Sequence, residues 1–467
     1  MLAEPSAELA AFTHAYNLAL LDPATSLVWN PAETPSPGLA GQTLHLIPNS
    51  AWTAYGLLQT GEFSLAGEVL EALLALQFDA PGAPWQGTFR QFLEWPATPP
   101  PGAVEWVDYD PNWRQFVGTA LALSLADFGE HLDGGLRQRI TSAICRAAGG
   151  EPPDRLGVHY TNPALLQAWL LATAGTLAGE ARWVQAGAAQ AEALAEAYAA
   201  HGAFEEFNSP TYSGVDLLAL GLWTQRAPTP RFAELGRPLE AGLWTQLAAW
   251  YHPDLRTWCG PFTRAYHPVA TSHVTFAALW IWATLGRAAA PLPLLDADVV
   301  PHGHDLMAGP VVAALAHHPM GVDLGAFERL SGTRLLRQEL PNARVVTSWI
   351  GDDAMVGGEA SAHDWGGWAQ FFPATLHCRT GAGVAALWLT DPHRVEAVAS
   401  ARRLEVRTGS HLQTWVTSAR HLEGDHRSVE LDGRSIRLEG ASTARFITTP
   451  AGPGVELEVP GALVLHL

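Results

Sequence analysis

The sequence is poor in cysteine, poor in charge, and poorest in positive charge. Only three cysteines occur, Cys145, Cys259 and Cys378, far apart and odd in number, so no disulfide framework is expected. Charged residues make up 16% of the 467, and 27 Lys and Arg face 46 Asp and Glu, a net charge of -19. A chain this acidic lacks the basic surface that a phosphate backbone needs, which argues against a nucleic-acid partner. An acidic substrate stays open, because a few arginines in a cleft can reverse the local potential. No segment has the roughly 18 uninterrupted apolar residues of a membrane span. Residues Met1–Phe12 lack a basic region followed by a long apolar run, so no signal peptide is read and a cytoplasmic protein is expected. No phosphate-binding loop is found, and Gly357-Gly358 reads as a turn or bulge.

What is present suits a soluble protein with a large interior. Hydrophobic residues reach 48%, and this length favours two domains over one core. Up to about residue 290, apolar residues recur at helical spacing in block after block. The blocks are 50–58, 65–78, 113–128, 136–148, 163–177, 180–199, 212–223, 231–250 and 273–285, joined by short links such as Ala178-Gly179. Paired helices without a fixed repeat period predict a closed α/α toroid over 1–290. Residues 288–300, with Pro291 and Pro293, read as a linker. Beyond it, short β-branched segments at 345–350, 384–389, 403–407, 413–417, 428–431, 435–438 and 454–459 predict an antiparallel β-sandwich over 301–467.

The most informative segment runs from Phe204 to Asp216. It places Glu205, Glu206, Asn208, Tyr212 and Asp216 around a helix entrance, with Ser209 suited to cap the helix and Pro210 to its first turn. Tyr160 to Trp169 opens another helix with Asn162-Pro163, and Gly260 to His267 is a loop carrying Arg264, Tyr266 and His267 ahead of the last toroid helix.

The order of toroid and sandwich, together with these segments, resembles the polysaccharide lyases of the heparinase and chondroitin/alginate lyase group. The 160–169 segment is similar to that family's inner helix opening with a catalytic Asn or His, without the Asn-Asn or Asn-His doublet some members carry. The 204–212 segment resembles the wall bearing the catalytic tyrosine. Residues 348–359 and 363–375, the latter with Trp365-Gly366-Gly367-Trp368, look like the first long strands of the family's sandwich. The resemblance implies β-elimination on a uronic-acid-containing glycan, an acidic oligosaccharide or polysaccharide, without a cofactor.

Elimination takes the proton from C5, beside a carboxylate, and expels the oxygen at C4. The carboxylate must be neutralised, a base must reach C5, and an acid must reach the leaving oxygen. Tyr212 is assigned as base and acid, with a neighbouring cation expected to lower its pKa. Asn162 and Asn208 are assigned to the carboxylate, with His159 as a further neutraliser or alternative base. Arg264 is the expected cation, and Tyr266 or His267 the second proton carrier. Trp113, Arg114, Glu206 and His363 are candidate substrate contacts. Several of these have plainer readings: Asn162 suits an N-cap, Asn208 a turn, and Arg264 a structural ion pair. Nineteen tryptophans suit sugar stacking, although most belong to helix packing. His302, His304, Asp305, His317 and His318 look like scattered metal ligands without a recognised spacing, so no metal site is assigned. Two other functions stay open. One is a glycoside hydrolase drawing a carboxyl pair from Glu105, Asp108, Asp110, Glu205, Glu206 and Asp216. The other is a non-catalytic glycan-binding protein.

Overall fold

A computed structural model describes residues 2–31, 43–297, 299–362, 369–390 and 393–467. Among the described residues there are eleven α-helices: α1 (Glu4–Leu20), α2 (Ile47–Thr60), α3 (Phe63–Leu74), α4 (Trp113–Phe128), α5 (Gly134–Gly149), α6 (Thr161–Ala178), α7 (Ala181–His201), α8 (Pro210–Gln225), α9 (Pro230–Trp250), α10 (Phe276–Leu285) and α11 (Gly309–Leu315). None of them is long and apolar enough to cross a membrane.

The helices form two concentric layers. Going round the inner layer, α2 touches α4, α4 touches α6, α6 touches α8, and α8 touches α10; α11 closes the ring between α10 and α2. Helices α3, α5, α7 and α9 each pack outside the inner helix beside them in sequence. Burial follows this division. Every residue of α8 from Pro210 to Trp223 is buried, whereas α7 buries only Gly187, Ala191 and Leu194. A helix apolar all round belongs inside, and one with a single apolar stripe belongs outside.

Helix α1 was not expected, for a physical reason. Its buried stripe is Ser6, Leu9, Thr13 and Asn17, mostly polar, so hydropathy does not mark it. Ser6 Oγ donates to the Ala283 carbonyl at 2.9 Å and Asn17 Nδ2 to the Met307 carbonyl at 3.2 Å, which gives these buried donors acceptors. Residues after 301, expected to open the β-domain, first form a 3-10 turn at Gly303–Ala308 and then α11, both packed on α1 and α2.

The first strand of the large sheet is Arg334–Leu340, paired antiparallel with Arg344–Ile350, which pairs in turn with Ala354–Ser361. The expected long strand 348–359 is thus a hairpin turning at 351–353. The other expected strand, 363–375, lies partly outside the described residues; Ala374–Thr380 forms a strand. Among the described residues, fourteen antiparallel strands join into one sheet. It turns over on itself, since Ala374–Thr380 also touches Arg403–Thr408 and Arg434–Glu439. Residues such as Leu376, Leu387, Leu404, Trp415, Ile436 and Leu457 fill the space between its layers, which is sandwich packing made from one continuous sheet.

The two parts are fastened by several contacts, among them a buried arginine beside the cleft. Arg344 is almost fully buried and binds Glu359 through Nε at 2.8 Å. Its Nη2 donates to Thr263 Oγ1 at 2.7 Å and its Nη1 to the Glu205 carbonyl at 3.2 Å. Phe262 and Phe372 exchange backbone hydrogen bonds of 3.0 Å in both directions, and the Ala265 N–H donates to the Gln370 carbonyl at 2.9 Å. The loop that carries Arg264 is therefore held by the β-domain.

Candidate active site

The first turns of the inner helices meet at one cavity of about 300 Å³. Asn49 and Trp52 come from α2, Asn112 and Trp113 from the start of α4, Asn162 from α6, Tyr212 from α8 and Phe276 from α10. The turn ahead of α11 adds His302, His304 and Asp305. Polar groups midway along a buried inner helix would be costly, whereas an entrance can hold them. Helix N-termini also carry partial positive charge, so their convergence favours an anionic ligand. A second cavity of about 980 Å³ lies along the β-domain and is lined by His159, Glu205, Glu206, Asn342 and Arg344 among others. Trp106, Tyr160, Arg264 and Gln370 line both, so the two are one cleft. Trp106 is 60% exposed there.

At the floor, Tyr212 and Tyr266 share a hydroxyl–hydroxyl hydrogen bond of 2.7 Å. The Arg264 guanidinium lies over the Tyr212 ring, 3.7 Å from its centre. Arg264 Nη1 binds Glu206 Oε1 at 2.9 Å, and Nε donates to Gln370 Oε1 at 3.0 Å. Glu206 Oε2 accepts from Asn162 twice, from the side-chain Nδ2 at 2.7 Å and the backbone N–H at 3.1 Å. Tyr160 completes the wall, its hydroxyl accepting from Asn112 Nδ2 at 2.7 Å. Arg155 Nη1 donates to Asn112 Oδ1 at 2.9 Å.

Electrostatics correct one expectation. Burial pushes the Tyr212 hydroxyl well above the usual phenol range, and the Tyr266 hydroxyl adds to this, with Arg264 opposing it only in part. The cation is where it was expected, but desolvation outweighs it. Tyr266, 39% exposed to the cleft, is also raised by burial, while the hydrogen bond from Tyr212 and the charge of Arg264 pull it down. Asp110, which accepts from the Asn112 N–H at 2.8 Å, is raised to about 6 because burial exceeds the help from that N–H and from Arg155. Burial raises Asp305 well above the carboxylate range.

The other expected residues divide between cleft and scaffold. Trp113 lines the cavity and His159 is exposed along the outer part of the cleft. Asn162 falls inside the first turn of α6, which begins at Thr161, instead of capping it. Asn208 is no ligand group: its Nδ2 donates to the Cys259 carbonyl at 2.7 Å and the Pro261 carbonyl at 2.8 Å, clamping the Arg264 loop. Ser209 precedes α8, but its hydroxyl donates to the Arg264 carbonyl and not to the helix. Arg114 is fully buried, with Nε on the Gln86 carbonyl at 2.7 Å and Nη1 on Glu151 at 3.3 Å, so it belongs to the scaffold. His267 accepts from the Val269 N–H at 3.0 Å and packs its ring 5.3 Å from Trp388, away from the cleft lining; burial lowers it to about 4. Asp216 is buried beneath the cleft. His363 lies outside the described residues.

Asn49, Trp106, Tyr160 and Gln370 had no assigned role. Pro48-Asn49 repeats the proline-marked helix entrance seen at 162–163 and 209–210, a signal that could have found Asn49. Gln370 reaches the cleft through the pairing of 262 with 372 and of 265 with 370, which no local pattern shows.

The cavity and its surroundings define a two-domain protein with an aromatic, polar cleft at the mouth of a helical ring. Residues 38–317, more than half of the chain, match the family model described as a domain of unknown function, DUF8769, and the chain belongs to that family. No curated protein matches it. Among solved structures, it is similar to the chondroitin AC lyase of Streptomyces coelicolor A3 in complex with chondroitin sulphate. That match has 12% identity and a TM-score of 0.39, covering 100% of this chain and 97% of that one. A mutant of the same lyase gives 12% identity and a TM-score of 0.42, covering 99% and 80%. A heparan sulfate lyase mutant from Pedobacter heparinus gives 11% and 0.33, covering 90% and 76%.

Proposed function

We propose that this protein is a carbohydrate-active lyase that cleaves a uronic-acid-containing glycan by β-elimination. The observation that carries the reading is the 2.7 Å hydroxyl pair of Tyr212 and Tyr266 with Arg264 stacked on Tyr212, at the point where the inner helices begin. The base and acid are the pair and not Tyr212 alone. Tyr266, the more exposed partner, loses its proton first, and Tyr212 donates to the resulting phenolate. Arg264 offsets the charge. The phenolate takes the C5 proton, the C4–O bond breaks, and the C4=C5 double bond forms. The same proton then passes to the leaving oxygen, which restores the phenolate. Arg264, Asn162 and the helix N-termini stabilise the enolate-like carboxylate as an oxyanion hole does. Trp106 and Trp113 offer faces for sugar stacking.

Mass spectrometry of the products tests the reaction. Elimination gives a new non-reducing end lighter by one water than hydrolysis would, and products of hydrolytic mass alone would refute it.

A second reading rests on Asp110 and Asp305. Both line the cavity and both are held above the usual carboxylate range, as the acid of a glycoside hydrolase must be. The lyase reading is preferred because it also uses the tyrosine pair and the stacked arginine.

A further inference from the structure

We propose that His302, His304 and Asp305 form a site for one divalent transition-metal ion at the edge of the cavity. One ligand atom from each lies within 4.8 Å of the others. His304 Nε2 is 3.4 Å from Asp305 Oδ1, the separation of two neighbouring ligands each about 2.1 Å from a tetrahedral ion.

The side chains of this turn keep buried polar atoms unpartnered. Asp305 is only 5% exposed, and its Oδ2 has no hydrogen-bond partner among the described residues. The Nδ1 atoms of His302 and His304 are buried without partners as well. Native proteins rarely leave such buried atoms without a partner. The turn is also held in an unfavourable shape: His302 has a φ of 52°, in the left-handed region that a non-glycine residue seldom enters. Between the two histidines, Gly303 sits so close to Tyr16 that a Cβ would meet its hydroxyl oxygen at 2.5 Å. Outside contacts fix the shape, with Asn49 Nδ2 donating to the His304 carbonyl at 2.8 Å. This is a prearranged turn presenting three ligand groups on one side.

The donor set selects the ion. Two imidazoles and one carboxylate, with no thiolate, suit Zn²⁺ or a neighbouring first-row divalent ion, whereas Mg²⁺ and Ca²⁺ prefer all-oxygen shells. All three ligands line the cavity, so an ion held by them would be reached from it. The His302 ring lies 4.3 Å from that of Tyr266, which puts the ion beside the tyrosine pair. His317 and His318 are not part of the site: His317 sits with Glu240 at 3.4 Å, and His318 is exposed.

The test uses the full chain, stripped with a chelator and titrated with Co²⁺ alone. One equivalent should bind, give visible absorption bands of low coordination number, and be displaced by Zn²⁺. Asp305→Asn and His304→Ala should each weaken Co²⁺ binding at least about tenfold. Zn²⁺ should raise the melting temperature of the wild type and not of the variants. A colourless, non-stoichiometric titration of the wild type overturns the proposal without any variant. Unchanged affinity in folded Asp305→Asn and His304→Ala overturns it too, by placing the ion elsewhere.

Discussion

Glu206 holds Arg264 in place: the 2.9 Å ion pair fixes the guanidinium from the side while the Tyr212 ring lies beneath it. The other oxygen of Glu206 takes the side chain and backbone N–H of Asn162. One carboxylate thus organises both groups assigned to the uronate. Glu206→Ala should destabilise the protein by roughly 2–4 kcal/mol, because it removes the charged acceptor shared by a largely buried cation and an amide. Urea unfolding measures this, and Glu206→Gln should lose less. A change within experimental error would mean that the pair is not structural.

The tyrosine pair should be indispensable to turnover. Tyr212→Phe and Tyr266→Phe should each lower kcat by roughly 100- to 10,000-fold, the usual range for a lost proton-transfer group. Circular dichroism should show both variants folded. Near-wild-type kcat in Tyr266→Phe would return the role to Tyr212 alone, and in both variants would remove the pair from the mechanism.

The raised phenols predict an alkaline profile. With both hydroxyls above their ordinary values, the phenolate is scarce at neutral pH and grows about tenfold per pH unit. The rate should therefore climb through the mildly alkaline range. Arg264 lowers both tyrosines, so Arg264→Ala should move the limb to higher pH and reduce the rate at any fixed pH below it. An unmoved limb would make Arg264 a purely structural residue.

Asp110 makes a stability prediction with a definite sign. Its folded-state value of about 6 lies above the ordinary aspartate range. Its contribution is complete where the unfolded carboxyl is protonated and is lost as pH rises through about 6. Asp110→Asn, which keeps an acceptor for the Asn112 N–H, should gain on the wild type between pH 4 and pH 7. Equal differences at both ends would show a carboxyl that titrates normally.

How far the sequence revealed this arrangement depends on what carried the signal. The inner and outer helices were legible because apolar spacing records which faces are buried. Asn162, Tyr212 and Arg264 could be grouped because inner-helix entrances share one end of a ring. Helix α1 was hidden by its polar buried stripe. The start of the β-domain was expected at 301, whereas residues 303–315 complete the helical ring before the first strand of the large sheet. Asn208 and Arg114 had the right chemistry, but backbone carbonyls take up their donors, and spacing along the chain does not report which carbonyls fold beside a side chain. The direction of the Tyr212 shift was misread for a related reason. A cation can be anticipated from sequence, whereas the depth of burial that outweighs it is a property of the packed ring.

Elimination is read most directly by far-ultraviolet absorbance during incubation with a panel of uronate-containing glycans. A rising signal from the conjugated C4=C5 double bond, lost in Tyr212→Phe and Tyr266→Phe, is the predicted result. Reducing ends released with no rise in absorbance would contradict the account and favour the carboxyl pair of a hydrolase.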